Sequence, residues 1–189
     1  MTPANVVLSV AAGTSERIDG LVAGIREVVQ LGLPPELTAH LVGELLAPVL
    51  GEPGLLTPEQ CEGDADHYRQ HVLHAEPDRS FSIAALVWMP GQGTVVHDHL
   101  CWCVTGVHQG QESERRYRLL PDGRSARLVA FEDVVNDTGA VAAFAPPGDI
   151  HRVHNSSPVK AISIHVYGAD VAQLGTSIRR VYPEPDGDS

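Results

Sequence analysis

The sequence predicts a mainly-β protein, a small β-barrel or jelly-roll carrying an N-terminal helical extension. Apolar residues recur at helical spacing only in the first third of the chain. After Tyr68, short apolar or alternating runs are cut by Gly/Pro turn clusters, the texture of a sandwich or barrel. With 189 residues, 43% of them hydrophobic and 20% charged, the chain is long enough for one core. Residues 1–67 then form a helical segment packed on the barrel, 68–182 the barrel, and 183–189 a disordered tail, in one structural domain.

From 15 to 31, Ile18, Leu21, Val22, Ile25, Val28 and Val29 follow the i, i+3, i+4, i+7 pattern of an amphipathic helix. Thr14 or Ser15 can cap it, and Gly32 with Pro34-Pro35 stops it. A second helix is expected over 35–50, with Leu37, Leu41, Val42, Leu45, Leu46 and Val49 on one face. Thr57-Pro58-Glu59-Gln60 supplies a cap, a first-turn proline and a glutamine that can reach back, the start of a shorter third helix. Strands are expected over 71–74, 80–89, 102–107, 127–131, 140–145 and 161–167. Turn clusters at 89–93, 121–123, 136–139 and 146–149 separate them.

Thirteen basic against 24 acidic residues leave a net charge of −11, and Lys160 is the single lysine. Phosphate neutralisation needs a basic face, so nucleic acid and anionic bilayers are disfavoured partners. A small anion is still admissible, because one pocket arginine outweighs the global field. No run approaches the roughly 18 to 20 apolar residues of a membrane span. The start has no basic segment leading into a long apolar core, so a cytoplasmic protein is expected. Cys61, Cys101 and Cys103 are odd in number, and Cys101 and Cys103 alternate across a strand, which fits reduced thiols.

Ten histidines stand out, most of them between His67 and His165. His97-Asp98-His99 follows Gly91 and puts two imidazoles on one strand face, where both can reach one metal ion. Pro146-Pro147-Gly148-Asp149-Ile150-His151 delivers His151 at the start of the next strand as a third nitrogen. His154 reads as a strand-end or supporting residue, while His67, His71, His74 and His108 fit solvent or the barrel rim. Trp88 and Trp102 read as core, and Glu112 and Glu114 as solvated.

This pair of motifs resembles those of the cupin superfamily, G-x5-H-x-H-x3/4-E-x6-G and P-x-G-x2-H-x3-N. Gly91, His97, His99 and Gly110 match the first, and Pro146, Gly148, His151 and Asn155 the second. Cys103 stands where most metal-binding cupins carry a glutamate ligand. Three neutral imidazoles suit Fe(II) with open positions, although imidazole alone also accepts zinc, copper or nickel.

Within cupins, the text resembles the thiol dioxygenases of the cysteine dioxygenase family. Val87-Trp88-Met89-Pro90-Gly91 leads into the first histidines, and Ser163-Ile164-His165-Val166-Tyr167 matches that family's S-x-H-x-Y pattern. The resemblance implies one Fe(II) per chain on His97, His99 and His151, with O2 as co-substrate and a small thiol carboxylate oxidised to its sulfinate. It also implies that Tyr167 orients substrate or dioxygen, held by His165 and Ser163. Gln70 follows Tyr68 by two residues where cysteine-specific members carry an arginine, so the chain resembles the glutamine-type, 3-mercaptopropionate branch. The carboxylate grip then falls to Arg179 or Arg180, or to Arg69 if the register slips by one. 3-Mercaptopropionate, cysteine and a related thiol acid all remain open. Cys103 is either a thioether partner of Tyr167, as in some members, or a buried free cysteine. A monomer or weak homodimer is expected. The rival readings are a non-enzymatic metal- or ligand-binding cupin module and a three-histidine iron dioxygenase that cleaves a carbon–carbon bond.

Overall fold

Two helices lie against one of two β-sheets in the computed structural model, which describes residues 7–10, 15–123 and 125–184. Helix α1 (Glu16–Gln30) starts at Ser15, whose hydroxyl accepts from the Ile18 N–H and donates to the Leu55 carbonyl. Helix α2 (Pro35–Leu46) opens on a proline pre-set for the first turn and passes into a 3-10 turn, Ala47–Val49. At 59–61 the expected third helix amounts to one 3-10 turn, Glu59–Cys61. Its entry has the predicted reciprocal cap: Thr57 N–H donates to Gln60 Oε1 at 2.9 Å, and Gln60 N–H to Thr57 Oγ1 at 3.3 Å.

The first sheet runs, in spatial order, β1 (Val7–Val10), β2 (Arg69–Ala75), β3 (Ser82–Trp88), β10 (Ala161–Tyr167), β5 (Cys103–Gln109) and β8 (Val141–Phe144). The second runs β11 (Ile178–Tyr182), β4 (Val96–His99), β9 (Ile150–His154), β6 (Gln111–Asp122) and β7 (Ser125–Asp137). Among the described residues, the strands of both sheets pair antiparallel except β1 on β2. This is the mainly-β barrel with N-terminal helices that the sequence predicts. A short helix, α3 (Val171–Leu174), joins β10 to β11. Among the described residues no helix is long and apolar enough to cross a membrane, and the three cysteines are free. Residues 185–189 of the expected tail, and Thr14 as a cap, lie outside the described residues.

The packing explains the strand patterns. Ile83, Ala85 and Val87 of β3 and Ile162, Ile164 and Val166 of β10 face the helices, where Ile18, Ile25, Val42 and Leu46 complete one buried cluster. Each fully buried aliphatic side chain contributes about 1.5–3 kcal/mol, against about 1 kcal/mol for a helix cap. The apolar face therefore decides where the helices sit. The alternate residues, Leu86 and Trp88 on β3 and Ser163, His165 and Tyr167 on β10, are also buried, on the opposite face. A strand buried on both faces reads as a continuous apolar run when both sides are oily, as in β3. On β10 the polar residues occupy the barrel side.

Three strands have no counterpart among those expected: β1, β6 and β11. On β6 the inward positions include Glu112 and Glu114, each only 3% exposed. Reading these two acids as solvated is incorrect: period two carries them inward beside Val153 and the third histidine strand.

Candidate metal centre

His97 and His99 project from one face of β4, and His151 from β9, whose Cα register pairs it with His97. The preceding turns need glycine, since Gly91 and Gly148 sit at φ 82° and 103°. Asn155 at the end of the second motif is fully buried, and its amide donates to the Trp88 and Val159 carbonyls. It ties β9 to β3 and is structural. The three imidazoles are buried with ring centroids 4.8–5.0 Å apart, and one nitrogen from each lies within 4.8 Å of the others.

Hydrogen bonds select which nitrogen. His97 Nδ1 donates to the Val95 carbonyl, His99 Nδ1 to Asp149 Oδ2 and His151 Nδ1 to Glu114 Oε1, each at 2.9 Å. An imidazole that donates from Nδ1 presents the Nε2 lone pair, so all three offer Nε2. Burial, reinforced by the neighbouring imidazoles, lowers the pKa of His97 well below 6.5, and burial also lowers that of His99 despite Asp149. Both rings are therefore neutral and able to ligate at neutral pH. Burial alone would raise the Asp149 and Glu114 carboxyls, but hydrogen bonds from His99 and from His151 and Arg116 hold both below their ordinary values. Both stay anionic. Among the described residues no carboxylate or thiol joins the cluster, and three imidazoles presenting Nε2 fit a divalent transition-metal ion.

Beside the triad, a hydrogen-bonded series crosses the barrel. The Trp88 indole N–H, which can only donate, meets Ser163 Oγ at 3.1 Å. Ser163 Oγ lies 2.9 Å from His165 Nε2, and His165 Nδ1 lies 3.1 Å from the Tyr167 hydroxyl. Burial drives the His165 pKa down to about 3, so that ring is neutral and relays one proton position. Two tautomers satisfy the series, and in the one with Ser163 donating to Nε2, His165 donates from Nδ1 and the Tyr167 O–H is left to point at the cavity beside Ser177. Burial, with Cys103 nearby, raises the Tyr167 phenol well above 10. Cys103 is its direct cross-strand partner in the β5–β10 register, and the two share one buried cluster with Tyr68 and Trp88.

These groups open onto one cavity, with about 30 Å3 for the centres of water-sized atoms. One water needs roughly 10–15 Å3 by that measure, so the space suits a molecule of a few heavy atoms. His97, His99, His151, His165, Tyr167 and Gln70 all line it. Arg69, Arg179 and Arg180 do not. Arg69 pairs with Glu62 and Asp64 on the outer side of β2. Arg179 sits at a register shift in β11 that turns it onto Asp98, the outward residue between the two histidines. Arg180 is exposed. The sequence reading missed Glu114 and Asp149 as partners of the histidines, and Thr94, Thr176 and Ser177 as lining residues. Asp149 stands two residues before His151 in its motif, a local signal for an orienting carboxylate; the others are brought in by tertiary structure.

The cysteine dioxygenase type I family model matches residues 61–176. Among solved structures, a cupin superfamily protein from Desulfitobacterium hafniense is 14% identical over 64% of this chain and 95% of its own, with a TM-score of 0.45. A Cupin 2 conserved barrel domain protein from Salinispora arenicola is 21% identical over 66% and 92%, with a TM-score of 0.42. An uncharacterized conserved protein with a double-stranded beta-helix domain from Klebsiella pneumoniae is 19% identical over 61% and 89%, with a TM-score of 0.44.

Proposed function

The chain belongs to the cysteine dioxygenase type I family, and from that premise we propose that it is a non-haem iron thiol dioxygenase. It takes a small thiol and O2 to the sulfinate, both oxygen atoms ending on sulfur. The observation that carries this reading is the convergence of three Nε2 atoms, each fixed by a bond at Nδ1, beside a tyrosine hydroxyl that opens on the same small cavity. His97, His99 and His151 would hold the ion. When bound there, iron(II) supplies a Lewis acid that lowers the pKa of a coordinating thiol and the one-electron chemistry that O2 requires. Zinc has no redox chemistry and cannot serve O2.

The remaining work falls to the chain itself. The Trp88–Ser163–His165 series fixes the Tyr167 hydroxyl, which donates a hydrogen bond to oxygen or sulfur in the cavity. Leu86, Trp88 and Val153 wall the cavity against water. Asp149 and Glu114 hold the ligand rings in orientation and raise their basicity. Cys103 is the position for a thioether to the Tyr167 ring, which intact mass after aerobic turnover would register as two lost hydrogens. The free thiols and acidic surface support a cytoplasmic enzyme that works without nucleic acid or membrane, as a monomer or weak homodimer.

The test is oxygen consumption by anaerobically Fe(II)-loaded protein, run with several small thiols and with none. Sulfinate should form in equal amount to the O2 used. No uptake with any thiol, iron being bound, overturns the proposal. In the same assay Tyr167→Phe is expected to keep its iron and lose about tenfold in kcat, the equivalent of one hydrogen bond in the transition state; wild-type rates would remove Tyr167 from the chemistry. Asp149→Asn is expected to weaken metal binding about tenfold in chelator competition, because the His99 ring loses its anionic acceptor. Unchanged affinity would make Asp149 a purely structural residue.

A further inference from the structure

The cavity carries a message about the end of the substrate remote from sulfur. Its lining includes no aspartate, glutamate, lysine or arginine among the described residues. The arginines that could grip a carboxylate are engaged or turned elsewhere: Arg69 by two acids, Arg179 by Asp98, and Arg180 out toward solvent. The rest of the lining is neutral: Gln70, Thr94, Thr176 and Ser177 are polar, Leu86, Val153 and Ile178 are apolar, and the Tyr68 ring is stacked on Trp88. Two carboxylates back the histidine rings. Asp149 and Glu114 stand directly behind His99 and His151. Glu114 is balanced by Arg116, whereas Asp149 Oδ1 is buried with no hydrogen-bond partner.

Resting on the thiol dioxygenase reading, we infer that this site takes a thiol whose far end is uncharged, a hydroxyl or an amide, rather than a thiol carboxylate. A carboxylate brought into this cavity loses water and meets no cation among the lining side chains, so desolvation is not repaid. It also approaches against Asp149 and a net charge of −11. A neutral hydroxyl or amide meets partners of its own kind. The Gln70 side chain both donates and accepts, and Thr176, whose hydroxyl accepts from the Ile178 N–H and keeps its own proton to donate, lines the cavity with Ser177 after the Gly175 turn. An ammonium tail has no lining carboxylate to repay its desolvation either, although the acidic field that opposes a carboxylate draws it in. Thiol binding at the histidines is common to all these molecules, and the tail alone separates them.

The experiment compares 2-mercaptoethanol and 3-mercaptopropanamide with 3-mercaptopropionate, L-cysteine and cysteamine. Affinity is measured by anaerobic calorimetric titration of the Fe(II)-loaded protein, and kcat/KM by O2 uptake. The two uncharged thiols should bind at least tenfold tighter than 3-mercaptopropionate and lead in kcat/KM. Tighter binding of 3-mercaptopropionate or cysteine overturns the inference. Turnover failing with every thiol would sink the dioxygenase reading, while the anaerobic ranking still decides the tail. As a second check, Thr176→Arg places a cation at an exposed rim position that faces the cavity. It should tighten 3-mercaptopropionate at least tenfold relative to 2-mercaptoethanol, whose own binding should not improve. No gain for the carboxylate would mean that the missing cation is not what excludes it, and the inference falls.

Discussion

His99→Ala should yield a folded protein that retains no stoichiometric metal and oxidises no thiol. Two imidazoles from different strands remain, and the third position is lost together with the ring that Asp149 orients. The backbone consequence is separable. His99 contributes two bonds to Asp149 Oδ2, from its ring at 2.9 Å and its backbone N–H at 3.0 Å, and only the ring is removed. The buried carboxylate thus keeps one donor and loses another, so some stability is lost even without metal. His97→Ala is the cleaner companion, because its Nδ1 bonds a backbone carbonyl and no carboxylate is stranded. Both variants should lose metal, and His99→Ala should in addition melt lower than His97→Ala in the metal-free state. Wild-type protein should gain thermal stability with added Fe(II) under anaerobic conditions, as any ligand of the native state requires, and neither variant should. Full metal content after desalting in either variant would show that the ion binds elsewhere.

The triad could be read from sequence because each member belongs to a local pattern: one residue between His97 and His99, and a glycine turn ahead of His151. The Ser163-His165-Tyr167 series was legible for the same reason, since strand period two fixes which residues share a face. What escaped is whatever depends on a partner strand. Strand β6 hides its alternation, because its inward residues include Glu112 and Glu114 and its outward ones Ser113 and Arg115, so hydropathy shows no contrast. Glu114 becomes meaningful only through the β6–β9 register that brings it to His151. Strand β1 pairs in parallel with β2, Val7 opposite Arg69, a contact no local signal announces. Counting along the chain from Tyr167 places the carboxylate grip at Arg179 or Arg180. The register shift at Arg179 breaks that count and delivers the guanidinium to Asp98 instead.

Glu112→Gln should stabilise the protein at pH 8 and leave it nearly unchanged at pH 5. Burial raises the Glu112 carboxyl from 4.5 to about 7, with the Glu114 charge adding to the rise and Ser163 and Trp88 opposing it. Its Oε1 is fully buried and has no hydrogen-bond partner. The folded pKa is above the unfolded one, so between the two values the native state holds a proton that the unfolded chain releases. Stability therefore falls as pH rises from about 4.5 to about 7, and the penalty is constant above that. At about 1.4 kcal/mol per pKa unit, the upper bound is about 3 kcal/mol. Glutamine keeps the shape and imitates the protonated acid, removing the titration without opening a cavity. Urea unfolding of both proteins at pH 5 and pH 8 isolates the effect, because every other titrating group cancels in the difference. The variant's advantage should grow by 1 kcal/mol or more (about a pKa unit's worth) between the two pH values. An equal difference at both would mean that Glu112 ionises in the fold as it does in water, and that its buried position is compensated by neighbours stronger than Ser163 and Trp88.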